Sequence, residues 1–128
     1  MSANHFGHID LRVTDLDVAL RFFGAWLPLL GFGTTYHGRE WKVFGTDEPL
    51  PSGPYFAITE DADHVPNRNR IAFWARDRAN VDLIAHTAAA AGALEMEGPG
   101  PCPEYDPSYY AVFFADPFGN RFEVYHRT

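Results

Sequence analysis

One pattern of strand, helix and strands runs through this chain twice. His8–Val13 (HIDLRV) alternates strictly, with Ile9, Leu11 and Val13 on one face and His8, Asp10 and Arg12 on the other. Such alternation describes a strand with one apolar and one polar face. Arg70–Ala75 (RIAFWA) begins the same alternation 62 residues later, with Ile71, Phe73 and Ala75 opposite Arg70, Ala72 and Trp74. A helical run follows each strand. Val18, Phe22 and Trp26 recur at helical spacing after an N-cap expected at Thr14, and Pro28 with Gly31 ends the run. In the second copy Asp77 is the expected cap, Val81, Ile84, Ala85, Ala88 and Ala91 form the buried stripe, and Gly92 stops the helix. Three strand-like segments follow each helix: Gly33–His37, Trp41–Phe44 and Tyr55–Thr59, then Ala93–Glu97, Tyr109–Ala115 and Arg121–Tyr125. This is a duplicated βαβββ unit. The pattern predicts an α+β fold in which each helix covers one face of a curved four-stranded sheet. The other faces are left concave, and the polar sides of the strands are predicted to point into one cavity.

The last hairpin carries the residue that most needs explaining. Asp116-Pro-Phe-Gly-Asn120 reads as a tight turn, in which Gly119 or Asn120 can take a positive φ. Alternation then sets Phe122 and Val124 toward a hydrophobic layer and Arg121, Glu123 and Tyr125 on the other face. A carboxylate at a strand centre is either solvated or a working group in a cavity.

Length and composition narrow the setting. A chain of 128 residues is expected to form one domain, with a first module at about 6–60, a linker at 61–69 and a second module at 70–128. Gly98–Ser108, which holds four of the ten prolines, is expected to be a stiff loop. Eleven Phe, six Tyr and three Trp favour a Phe-rich sheet core, a lined pocket or a subunit interface. The net charge of −7 argues against nucleic acid and anionic membranes as partners. Cys102 is the only cysteine, so neither an intrachain disulfide nor a multi-cysteine zinc site can form. With no signal peptide and no long apolar run, the expected location is cytoplasmic.

The repeated unit, the opening HIDLRVTDLDVALRFF, the LLGF after the first helix and the closing YYAVFFADPFGNRFEVYH resemble the vicinal oxygen chelate superfamily. This group contains glyoxalase I, bleomycin resistance proteins, fosfomycin resistance enzymes and extradiol dioxygenases. The resemblance implies a small oxygen-rich substrate or ligand, a homodimer, and in metal-dependent members a divalent cation such as Mn, Fe, Ni or Zn. His8 matches the ligand position that opens the first module, and Glu123 the one in the last strand. The second module opens with Arg70 where a His is usual, and a guanidinium has no lone pair to donate.

Two functional readings follow, beside the plain one of a salt bridge and a hydrogen-bonded histidine. In the first, His8 and Glu123 hold a metal and act catalytically in a lyase, isomerase or dioxygenase, with Tyr125, Tyr110, His64 or His5 completing the site. In the second, Arg70 pairs with Glu123 or grips an anion, in a metal-free binding or resistance protein or in an enzyme using Glu123 and His8 as acid and base. Arg70, Trp74, Tyr110, Arg121 and Tyr125 are the expected substrate-binding residues, with Phe114 as a further candidate for the lining.

Overall fold

A computed structural model describes residues 6–47 and 53–128, so His5 and the stretch 48–52 between two of the predicted strands lie outside the described residues. The chain divides into two compact units, residues 1–64 and 65–128.

The first unit contains β1 (His8–Val13), α1 (Leu16–Trp26), a short 3-10 helix (Leu27–Leu30), β2 (Thr34–His37), β3 (Trp41–Gly45) and β4 (Tyr55–Glu60). Its sheet has the order β1-β4-β3-β2, with β1 parallel to β4 and the other pairs antiparallel. Asp15 rather than Thr14 caps α1, its carboxylate accepting from the Val18 amide at 3.0 Å. Pro28 sits at the start of the 3-10 turn, where its missing N–H costs nothing, and Gly31 closes it at φ 93°. The helix buries Phe22, Phe23 and Trp26, and Phe23 lies 5.7 Å from Phe56 of β4. Each such ring removed from water contributes about 1.5–3 kcal/mol.

The second unit repeats the plan with β5 (Arg70–Trp74), α2 (Arg78–Ala90), β6 (Leu94–Pro101), β7 (Tyr110–Ala115) and β8 (Arg121–His126), in the order β5-β8-β7-β6. Asp77 caps α2 as expected, accepting from the Asn80 amide at 2.7 Å. Val81, Ile84 and Ala88 are fully buried, as are Val112, Phe122 and Val124 of the sheet. Phe114 belongs to this packed layer, 6.0 Å from Phe122, and both residues also border a cavity beside Arg121. The loop expected from Gly98 begins later, because β6 continues to Pro101. Prolines are tolerated there because β6 is an edge strand, with register shifts against β7.

The β7–β8 turn is built around Asp116. Its side chain is fully buried and accepts from the backbone amides of Phe118 and Asn120 and from the Asn120 amide group, at 2.8–2.9 Å. Gly119 takes φ 93°, and a β-carbon there would lie 3.0 Å from Pro66. This turn fixes the register that sets Phe113 beside Glu123 and Ala115 beside Arg121.

Candidate functional site

Strand alternation in the second unit sorts the side chains between two faces. Phe122 and Val124 go to the layer shared with α2, so Arg121, Glu123 and Tyr125 occupy the other face. The parallel register with β5 adds Arg70, Ala72 and Trp74 beside them, and β7 contributes Ala111 and Phe113. Five of the predicted residues, Arg70, Trp74, Arg121, Glu123 and Tyr125, thus share one sheet face. Tyr110 does not join them. Its parity sends it to the helix side, where its hydroxyl donates to Asp82 at 2.6 Å and the Arg78 guanidinium lies 5.0 Å from its ring centroid.

Glu123 is only 8% exposed. Its Oε2 accepts from the hydroxyl of Tyr109, the neighbour that the sequence reading passed over. Among the described residues, Oε1 accepts no hydrogen bond. Tyr109 also stacks on Tyr125, with ring centroids 4.9 Å apart and planes within 3°, and meets Tyr105 edge-on at 5.2 Å. Burial first, then the hydrogen bond and charge of Glu123, push the Tyr109 hydroxyl well above the usual tyrosine range. Tyr109 therefore stays a proton donor and Glu123 its acceptor.

The loop before β7 holds Tyr109 in place. The Tyr109 amide donates to the Asp106 carbonyl at 3.0 Å, and its carbonyl accepts from the Cys102 amide at 2.8 Å. Asp106 also accepts from the Ser108 hydroxyl and amide, bonds that hold its carboxyl below the usual range. Cys102 is half-buried, and burial followed by the charges of Glu104 and Glu123 raises its thiol pKa. A protonated thiol is a poor nucleophile.

A pocket of about 360 Å³ opens on this face, lined by Arg70, Glu97, Cys102, Glu104, Tyr105 and Phe113 among others. The Arg70 guanidinium lies over the Phe113 ring at 4.9 Å. It forms no ion pair with Glu123 or with any other described residue. Of the two roles the sequence allowed Arg70, pairing with Glu123 or gripping an anion, the pairing is not formed, and Glu123 bonds Tyr109.

His8 opens β1 of the first unit, exposed and stacked on Tyr55 with centroids 4.5 Å apart. On the same strand Asp10 accepts from Thr59 at 2.9 Å and pairs with Arg12 at 3.4 Å. His64 lies in the turn after β4, its amide donating to Asp61, and His126 Nδ1 contacts the Ala75 carbonyl at 2.7 Å. Among the described residues, no three His, Cys, Asp or Glu side chains come together as a group that could hold a metal ion. In the second unit Arg70 offers no lone pair, and one oxygen of Glu123 is taken by Tyr109. Of the matched ligand positions the second unit thus supplies Glu123 alone, where a catalytic metal ordinarily has three protein ligands.

Comparison with known proteins places the chain in a family. A search of curated proteins finds no match to the chain. Among solved structures, a glyoxalase/bleomycin resistance protein from Albidiferax ferrireducens superposes with a TM-score of 0.81 at 23% identity, over 98% of this chain and 100% of the other. The fosfomycin resistance protein FosX from Mesorhizobium loti gives 0.68 at 21% identity, over 99% and 95%. FosX from Listeria monocytogenes, in a structure with Mn(II) and sulfate, gives 0.68 at 23% identity, over 99% and 93%. These likenesses establish the fold. The model of the Glyoxalase/Bleomycin resistance protein/Dioxygenase superfamily matches residues 5–124, and the chain belongs to that superfamily.

Proposed function

We propose that the second unit binds a small, oxygen-rich anion, with Arg70 as the anion's anchor and Glu123 as the group that accepts or returns a proton. The observation that carries this reading is the state of Glu123: nearly buried, with Oε2 held by Tyr109 and Oε1 without a partner among the described residues. A carboxylate held at one oxygen is oriented, and its open oxygen can take a proton from a bound molecule. Tyr109, kept protonated, stabilises the carboxylate before transfer and acts as a positioning residue. Arg70 supports the anion preference because it forms no ion pair among the described residues and stacks over the Phe113 ring. The reaction type within lyase, isomerase or related chemistry follows from which proton Glu123 takes.

The test is a thermal-shift screen of small hydroxy- and keto-acids, followed by product analysis of each hit. Stabilisation lost in Arg70→Gln, with turnover lost and binding kept in Glu123→Gln, is the expected outcome. Hits that bind equally well to Arg70→Gln would overturn it, and binding without turnover would make the protein a sequestering one.

A second reading has His8 and Glu123 hold a divalent cation. The Mn(II) bound in the FosX structures favours it, one of them also containing 1S,2S-dihydroxypropylphosphonic acid. The donor set argues for the first reading, so elemental analysis of untagged protein should find less than one equivalent of Mn, Fe, Ni or Zn. A full equivalent, lost in His8→Ala and Glu123→Ala, would establish the second.

A further inference from the structure

Arg70 and Arg121 are direct partners in the parallel β5–β8 ladder. Alternation turns both to the face opposite α2, and both line one cavity of about 460 Å³. Neighbouring strands run about 4.8 Å apart, so two permanently charged side chains spring from facing positions. Like charges in facing positions destabilise a sheet unless something neutralises them. The chain has carboxylates to spare, 17 acidic residues against 10 basic. Yet among the described residues neither arginine forms an ion pair. Glu95 and Glu97 of β6 line the same cavity and also form no ion pair with either arginine. Phe113 meanwhile fixes the Arg70 guanidinium from below.

We infer that Arg70 and Arg121 together grip one doubly charged tetrahedral oxyanion, such as the phosphate-type head group of a small molecule. Two planar forks can each donate two N–H bonds to such a group, and its two negative charges match theirs. The chain's net charge of −7 disfavours a polyanionic carrier of that group, which leaves a small molecule as the ligand. This inference rests on the anion-binding reading above. It adds Arg121 as the residue that selects two charges over one.

The experiment compares methyl phosphate with dimethyl phosphate by titration calorimetry on the full chain. Ionic strength is held constant, at a pH above the second pKa of methyl phosphate, so the probes carry two charges and one. The wild type should bind methyl phosphate roughly tenfold or more tightly than dimethyl phosphate, since a second charge-assisted contact is lost with the second charge. Arg121→Gln should bring the two probes to within about twofold, and Arg121→Lys, which keeps the charge but loses the fork, should fall between. Circular dichroism confirms that each variant is folded. Equal binding of both probes by the wild type, lost only in Arg70→Gln, would overturn the two-arginine grip and leave the single-arginine pocket standing. Failure of methyl phosphate to bind would overturn the two-arginine grip, while the screen of hydroxy- and keto-acids decides the anion-binding reading separately.

Discussion

At the scale of residues, the chemistry turns on one carboxylate and its donor. The sequence offered Glu123 a metal ion or Arg70 as its first partner, and within the chain the structure gives its Oε2 the Tyr109 hydroxyl. The signal for Tyr109 was within reach. In YYAVFFA two tyrosines stand side by side, and only the odd one shares parity with Ala111, Phe113 and the Glu123 face. Tyr110, one residue further on, faces the helix, because a step of one residue inverts the face a strand side chain takes. The bond makes a titration prediction. Tyr109 keeps its proton more tightly folded than unfolded, so this contribution to stability is whole below the ordinary tyrosine pKa of about 10 and is lost as pH rises from there through the raised folded value. Ultraviolet titration of tyrosinate should therefore show one late component that is absent from Tyr109→Phe. An unchanged curve in that variant would contradict the assignment. Cys102 makes a second prediction at this scale. With its thiol pKa raised, its alkylation at neutral pH should be slower than that of a free cysteine. Mass spectrometry after iodoacetamide treatment measures it, and faster labelling would contradict the account.

At the scale of elements, alternation and helix stripes were legible because one buried face imposes them. The strands and helices of both units follow the repeat, and Asp77 caps α2 where its side chain and position indicated. Two details were not legible. Thr14 and Asp15 are both competent caps, and the choice of Asp15 depends on the phase at which β1 delivers the chain. The extension of β6 through Gly98–Pro101 was hidden because prolines read as loop, and only an edge position makes them compatible with a strand. The β7–β8 turn holds Glu123 in register, and its stability can be tested directly. Gly119→Ala places a β-carbon at positive φ and against Pro66, and should cost about 1–2 kcal/mol. Asp116→Ala leaves the buried amides it caps without their acceptor, and should cost about 2–4 kcal/mol. Urea denaturation measures both; changes within about 0.5 kcal/mol would mean that the turn does not fix the hairpin.

At the scale of the whole molecule, the repeat and the closing motif carried the family, whose model matches residues 5–124. What the sequence leaves open is chemistry, because one fold hosts many reactions and Arg70 replaces an expected donor. Among the described residues no helix is long and apolar enough to cross a membrane. Tyr36 and Trp41 of the first unit's sheet are 46% and 43% exposed, an aromatic surface of the kind that subunits cover. If the homodimer implied by the resemblance forms, sedimentation equilibrium should return twice the 14.4 kDa chain mass. A monomer mass would contradict that assembly. The central claim is that small molecules enter beside Glu123 and Tyr109. It is tested most directly by carbon–proton correlation spectra of protein labelled at its tyrosines, with Tyr109 assigned through Tyr109→Phe. A compound that stabilises the protein is predicted to shift the ring signals of Tyr109 and Tyr125 in proportion to its occupancy. A stabilising compound that leaves both signals in place while moving others would contradict it.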